Sequence, residues 1–173
     1  SLSTSINDTH KVNLLNNISE ILWKTNYYDS AITYCEDAIK LGGELHFKPG
    51  LASSYNTKGA INLYLGNYLE AIRLFNISLK IREDIQDKKG VASSYNNMGN
   101  AYVYLGNYPL ALKHYFASLK IKEEIGDLKG IAASYNNIGA IYENQTNYDD
   151  AKKNYLASIK IKEELGDDKG LSS

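Results

Sequence analysis

The chain has 173 residues with nearly balanced charges, 19 Lys and Arg against 20 Asp and Glu. It can therefore bury a core of its own, and it has no net field that attracts a phosphate backbone or an anionic membrane. With one cysteine and no apolar run near the roughly 18 residues that cross a bilayer, we expect no internal disulfide, no nucleic-acid partner and no membrane contact by this fragment.

A repeat of 40 residues organises the sequence. The motif Gly-Leu-Ala-Ser-Ser-Tyr-Asn at Gly50 returns in closely similar form at Gly90 and Gly130, and residues 90–129 match residues 130–169 at 23 of 40 positions without a gap. A weaker copy precedes these three, so the chain holds four units.

The repeat defines the expected domain organisation. Residues 1–9 precede the pattern, and we assign them to a disordered or tag-derived lead. Residues 10–166 are predicted to form a single domain, and residues 167–173 to be the start of a truncated next unit. The four units have the approximate boundaries 10–46, 47–86, 87–126 and 127–166.

Each unit contains two apolar stripes of helical period. In the third unit the first stripe, helix A, comprises Val91, Tyr95, Met98, Tyr102 and Leu105. The second stripe, helix B, comprises Tyr108, Ala111, Leu112, Tyr115 and Leu119. These patterns predict eight helices of about 14 to 18 residues and no strand. Connections of about three residues make neighbouring helices antiparallel.

Capping residues recur between the stripes. Asn67, Asn107 and Asn147 are predicted to cap the B helices, and the Gly-Asp pair at 126–127 to end one helix and cap the next. Because Phe47 takes the place of this aspartate between the first two units, we expect that junction to be the least regular.

Three features at core phases call for a packing explanation. Gly59, Gly99 and Gly139 recur inside helix A, where glycine costs about 1 kcal/mol relative to alanine, so we interpret them as points where helix B approaches closely. Cys35 is interpreted as a small buried hydrophobe. Lys58 is predicted to snorkel or to meet a carboxylate of the first unit, because an unpaired buried ammonium is unfavourable.

Side chains that could carry chemistry are scattered. His10, His46 and His114 stand apart from other metal ligands, the serines lie inside helices, and the glycines follow the repeat rather than a phosphate loop. The charged runs at 120–124 and 160–164 are interpreted as solvated faces. We predict no catalytic residue, no metal, no cofactor and no enzymatic activity.

The third unit carries a family resemblance at Tyr95, Gly99, Tyr102, Gly106, Tyr108, Ala111, Tyr115 and Ser118. This pattern resembles the tetratricopeptide repeat, although Glu123 stands where the family usually has the proline that closes helix B. The resemblance implies an all-α fold, a right-handed superhelical stack of antiparallel helix pairs. The 40-residue length resembles the sensory regions of bacterial signalling proteins with histidine kinase or nucleotide cyclase outputs. The compartment stays open between the periplasmic side of a bacterial membrane and the cytoplasm.

A polar stripe lies opposite the core face of helix A, and in the tetratricopeptide fold that side lines a concave groove. The candidate groove residues are Asn56, Tyr64, Ser93, Asn96, Asn97, Asn100, Tyr104, Asn136, Asn137 and Asn144. Their side chains can bond an extended backbone, which predicts a scaffold module that binds a protein or peptide segment. The alternative is a structural spacer or self-association module without a peptide ligand.

The last B helix is expected to expose apolar surface. Tyr155, Leu156 and Ile159 are the candidates, and a weak homodimer through this terminal repeat is the expected consequence.

Overall fold

The computed structural model describes residues 2–166, with side chains from residue 8 onward. This described part consists of eight α-helices without a strand, as the apolar stripes predict. Their bounds are α1 Leu2–Lys24, α2 Tyr28–Glu44, α3 Lys48–Tyr64, α4 Tyr68–Asp84, α5 Lys88–Tyr104, α6 Tyr108–Glu124, α7 Leu128–Asn144 and α8 Tyr148–Glu164.

The first helix differs from the others in length. It has 23 residues, whereas α2 has 17, and it includes residues 2–9, which the sequence pattern assigns to a lead. That segment contains few apolar residues, so a helical period of apolar positions cannot be detected in it. Residues 167–173, expected to start a further unit, lie outside the described residues. The prediction of a single domain stays a prediction.

The same tight turn connects α5 to α6 and recurs between the other helices. The N–H of Gly106 donates to the carbonyl of Val103 and the N–H of Asn107 to that of Tyr102, both at 2.9 Å. This Schellman pattern needs a left-handed residue after the helix, and Gly106 has a φ of 70°. The turn reverses the chain in three residues, so α6 runs antiparallel to α5.

The predicted asparagine caps are correct at two of three positions. Asn107 and Asn147 each accept a hydrogen bond from the backbone N–H three residues later. Asn67 makes no such bond, so its predicted cap is wrong. Its amide instead donates to the Asn62 side-chain oxygen at 3.2 Å, and Asn62, at the end of α3, is thereby a competing partner.

The junction between the first two units is less irregular than expected. Phe47 makes no side-chain cap, whereas the carboxylates of Asp87 and Asp127 accept hydrogen bonds from the N–H groups of Gly90 and Gly130. The backbone nevertheless has the same shape, with φ and ψ of −84° and 80° at Phe47 and −79° and 79° at Asp127. The turn, rather than the capping side chain, therefore sets the path of the chain.

The chain forms two compact units, Ser1–Gly90 and Val91–Ser173. In each, an aromatic ring of helix B lies directly on a mid-helix glycine of helix A. A Cβ atom added to Gly59 would lie 2.7 Å from Cε1 of Phe75, and one added to Gly99 would lie 2.6 Å from Cε1 of Tyr115. The prediction that these glycines allow close approach of helix B is confirmed.

A hydrogen bond from a serine on helix B stabilises the same close contact. Its hydroxyl donates to an alanine carbonyl of helix A at 2.8 Å in three repeats, joining Ser78 to Ala52, Ser118 to Ala92 and Ser158 to Ala132. All three serines are buried. A small polar residue is required there because a larger side chain would separate the helices, and an alanine would leave the carbonyl without this donor.

The two unusual residues at core phases, Cys35 and Lys58, behave as expected. Cys35 is fully buried, and burial raises the pKa of its thiol. Lys58 places its Nζ 2.7 Å from Oε1 of Glu36 on α2. The ammonium therefore meets a carboxylate of the first unit rather than remaining unpaired in the core.

Replacing Gly99 by alanine should destabilise the protein although alanine is the better helix former. The added Cβ would collide with the Tyr115 ring, and overpacking of this kind costs about 1 to 3 kcal/mol. Gly43 is the matched control, since it lies in α2 with open space around its Cβ position. Gly43→Ala should stabilise by about 0.5 to 1 kcal/mol. Urea unfolding of both variants tests this, and equal effects would contradict the close-approach explanation.

Candidate functional site

The ten candidate groove residues all lie on A helices. Asn56 on α3 and Tyr64 at its end belong to the first compact unit, and the other eight belong to α5 and α7 of the second. Four of those eight are exposed, namely Ser93, Tyr104, Asn136 and Asn144. The remaining four, Asn96, Asn97, Asn100 and Asn137, are half-buried.

Asn100 does not face away from helix B, contrary to the expectation for the polar stripe. Its side-chain oxygen accepts a hydrogen bond from the Tyr115 hydroxyl at 2.5 Å. The reason is the ring on Gly99, which carries the hydroxyl past the glycine to the neighbouring asparagine. Burial raises the pKa of Tyr115 to about 12, so the phenol remains protonated and donates. Asn100 thus takes part in the packing of α5 against α6.

Asn16 is a buried polar residue whose structural role the sequence pattern did not reveal. It is buried on α1, donates from Nδ2 to the Gly50 carbonyl at 3.1 Å, and accepts from the Ser54 hydroxyl at 2.6 Å. It therefore links two successive A helices. The available signal was its recurrence every 40 residues, as Asn56, Asn96 and Asn136. This helical phase can serve contacts between repeats as well as a groove.

Five candidate residues of the second compact unit remain at the polar phase of helix A. We call them the helix-A stripe: Ser93, Asn97 and Tyr104 on α5, and Asn137 and Asn144 on α7. The three on α5 fall within about 40° of one another at 100° per residue. Tyr104 is 64% exposed. Together these side chains present amides and hydroxyls without a formal charge.

The first compact unit repeats the helix-A stripe only in part. Thr57 stands at the phase of Asn97 and is buried, while Tyr64 stands at the phase of Tyr104 and is exposed. The Tyr64 ring lies 5.1 Å from the ring of Tyr28. On α1, Asn17 stands at the phase of Asn97 and is exposed, so this amide position recurs in the first compact unit but is missing from α3.

A basic residue at the end of a B helix, Lys122, was misassigned. Lys122 belongs to a run interpreted as a solvated face, yet it is buried and donates to the Ser134 hydroxyl at 2.8 Å. Arg82, at the same phase, is also buried and donates to the Gly90 carbonyl at 2.7 Å. Burial lowers the pKa of both groups, and a nearby aspartate opposes that change in each case. A helix wheel cannot reveal this burial because it does not include the neighbouring helices.

The isolated histidine of the third unit has an aromatic environment. His114 stacks on Tyr102 with ring centres 5.2 Å apart and ring planes at 8°, and burial lowers its pKa. Across residues 8–166, no three His, Cys, Asp or Glu side chains gather as metal ligands would. Within the described helices, none combines the length and the apolar character of a membrane span.

Comparisons with known proteins identify the repeat. The sequence model of the tetratricopeptide repeat family matches residues 10–84, 50–124 and 90–164. A comparison with curated protein sequences found no match.

Solved structures share the arrangement of helices at low sequence identity. BtubC from P. vanneervenii aligns at 18% identity and a TM-score of 0.82, over 90% of this chain and 64% of BtubC. Aspartyl phosphate phosphatase F from Bacillus subtilis aligns at 18% and 0.87, over 91% and 42%. A Rap protein complexed with Competence and Sporulation Factor aligns at 18% and 0.84, over 92% and 44%. The chain thus spans less than two thirds of each of these proteins, and the likeness extends to the fold alone.

Asn100→Ala should lower the free energy of unfolding by about 1 to 2 kcal/mol, because it removes the acceptor of the buried Tyr115 hydroxyl. Asn144→Ala, at an exposed position on α7, should change it by less than about 0.5 kcal/mol. Urea unfolding measures both. Combining Asn100→Ala with Tyr115→Phe should add little further loss, and full additivity would contradict a direct bond between the two side chains.

Proposed function

The chain belongs to the tetratricopeptide repeat family, and we propose that it is a module that binds an extended segment of another polypeptide along the helix-A stripe. The observation that carries this proposal is the recurrence of the same uncharged amide phase on α5 and α7, as Asn97 and Asn137. In this proposal the chain serves a larger bacterial signalling protein as a sensory or regulatory part, without an enzymatic activity of its own.

The chemistry of the stripe suits a peptide backbone. An extended chain offers N–H and C=O groups in alternation, and each carboxamide both donates and accepts, so it can imitate the edge of a strand. Asn97 and Tyr104 are separated by seven residues, which is about 10.5 Å along a helix, close to three residues of extended peptide. An aromatic ring at Tyr104 adds apolar contact to the bonds made by the amides.

Helix propensity also favours a binding role. Asparagine is a poor helix former, because its amide competes for backbone hydrogen bonds. A face with only a solvent role would be more stable with Glu, Lys or Gln. The asparagines at 97 and 137 lie in the interior of 17-residue helices, where that disadvantage is largest.

The absence of basic side chains in the helix-A stripe limits the class of peptide that it can bind. None of its five side chains is basic, so it lacks the means to clamp a free carboxylate at a peptide terminus. An internal peptide segment is the expected ligand. The Rap protein complexed with Competence and Sporulation Factor supports such a role, since its fold aligns with 92% of this chain.

Self-association without a peptide ligand is the second candidate function. The observation that favours it is Leu156 on α8, which is 55% exposed, whereas Tyr155 and Ile159 are half-buried. Leu156 borders a surface depression of about 270 Å³ that Tyr148 and Lys152 also line. Light scattering over a range of protein concentrations distinguishes the two functions.

The proposal is tested by selecting binders from a library of random short peptides displayed on phage. We expect Asn97→Ala and Asn137→Ala each to weaken the selected peptides by about 5- to 150-fold, the effect of leaving a buried peptide group unpaired. Fluorescence anisotropy with a labelled peptide measures this.

Asn76→Ala is the matched control, since Asn76 lies exposed on helix B and donates to the Ile72 carbonyl of its own helix. Its affinity for the selected peptides should equal that of the wild type. Unchanged affinity in a double Asn97→Ala and Asn137→Ala variant would reject the proposed binding surface, as would a library that yields no binder.

A further inference from the structure

One face of the B helices in the second compact unit combines apolar and basic side chains. On α6, Phe116 is 45% exposed, and the exposed Lys113 and Lys120 stand three residues before it and four residues after it. At 100° per residue these three side chains fall within about 60° of one another. They therefore form one continuous stripe along the exposed side of the helix.

The last B helix, α8, repeats this stripe with the same spacing. Leu156 is 55% exposed and stands between the exposed Lys153 and Lys160. We call the two sets the lysine stripes: Lys113, Phe116 and Lys120 on α6, and Lys153, Leu156 and Lys160 on α8.

The packing of repeats does not cover the apolar position of the stripe. A further helix pair follows α6, and Ile138 of α7 joins Tyr115 and Leu119 of α6 in one core cluster. Phe116 stays exposed although α7 packs against its helix. The exposure of Leu156 at the same phase is therefore a property of this face, shared by both B helices of the unit.

Polar residues take the apolar position of the stripe in the first compact unit. Glu36 on α2 and Asn76 on α4 stand at the phase of Phe116 and Leu156, and both are exposed. A position in contact with solvent alone is thus compatible with a polar side chain in this fold. The apolar residues of α6 and α8 gain free energy only when a partner removes them from water.

The charges of the lysine stripes lack acidic partners. None of the four lysines forms an ion pair with a residue that the structure describes. On α4, by contrast, Arg73 at the first lysine position donates to Glu70 in two hydrogen bonds of 2.7 Å. The counterpart of Glu70 is Leu110 on α6, and on α8 it is Asp150, whose carboxylate accepts from the Asn147 amide at 2.8 Å. Carboxylates of a ligand would complete the missing pairs.

We propose that each lysine stripe binds an acidic amphipathic helix of a partner protein, with an apolar side chain of the partner on Phe116 or Leu156 and carboxylates on the flanking lysines. Lys113 and Lys120 are separated by about 10.5 Å along α6, which matches two acidic residues seven apart on a partner helix. The contact joins apolar burial to complementary charge.

This second surface is separate from the helix-A stripe. It lies on B helices and takes a charged ligand, whereas the helix-A stripe lies on A helices and offers uncharged amides. The two proposals use different residues and can fail separately.

An acidic helix fits the stripes better than a second copy or a membrane surface does. Two copies joined through their lysine stripes would place ammonium groups against one another. Exposed carboxylates border the stripes, with Asp149 and Glu163 at the two ends on α8 and Glu123 after the stripe on α6. A flat anionic membrane would meet these carboxylates together with the lysines, whereas a helix of two to three turns can contact the lysines alone.

The test uses a fluorescein-labelled synthetic peptide of about 18 residues of Ala, Leu and Glu, designed as an amphipathic helix with two Glu seven residues apart and a Leu between them. Fluorescence anisotropy measures its binding to the full chain. Lys120→Glu combined with Lys160→Glu should weaken binding by about 3- to 30-fold, because each stripe then repels one carboxylate. Lys40→Glu combined with Lys80→Glu is the matched control, the same change at the same phase on α2 and α4, and should leave the affinity unchanged.

Phe116→Asn combined with Leu156→Asn tests the apolar contact independently of charge. It should weaken the acidic peptide by about 5- to 30-fold, since the apolar area buried by the partner is lost. The fold should persist, because α4 carries Asn76 at this exposed position, and circular dichroism checks this. A double Asn97→Ala and Asn137→Ala variant should bind the acidic peptide like the wild type.

Three results would overturn the proposal. The first is an acidic peptide that does not bind the wild type, and the second is an equal loss of affinity in the Lys40 and Lys80 control. The third is binding to vesicles of phosphatidylserine and phosphatidylcholine in place of the peptide, since the partner would then be a membrane.

Discussion

Three of the four helix pairs in this protein depend on one close contact, an aromatic ring of helix B against a glycine in the middle of helix A. Phe75 on Gly59 and Tyr115 on Gly99 leave no room for a methyl group. Because the helices approach so closely, a helix-B hydroxyl such as that of Ser118 reaches the backbone of helix A, where it bonds a carbonyl. Glycine lowers helix propensity, and the burial of a large ring offsets that loss.

The same contact determines what the surface offers. The ring on Gly99 brings the Tyr115 hydroxyl to Asn100 and withdraws this amide from the polar side of helix A. Asn97, one turn earlier, remains on that side in the helix-A stripe. Asparagines on one helix thus differ in whether they take part in the packing, and the position of a single ring on the neighbouring helix decides which of them does.

Polar contacts, rather than apolar area alone, specify which helix follows which. Buried groups such as Asn16, Arg82 and Lys122 would be unfavourable without partners, and each finds one on the next A helix. A repeat in a linear array contacts only its neighbours, so its register must be fixed locally. Matched donors and acceptors at fixed separations achieve this, since a shift of the helix would leave charged groups buried and unpaired.

The sequence by itself determined the period, the number and type of the helices, the glycine contacts, the burial of Cys35 and the pairing of Lys58 with a carboxylate. These features follow from the position of single residues on the helix. Because the repeat has a constant length, each such position can be compared in four units. Only the tertiary structure decided the partners of polar side chains. A helix wheel gives the direction of a side chain but not the neighbour within 3 Å that competes for it, and this is why the analysis of phase failed at Asn67, Asn100 and Lys122.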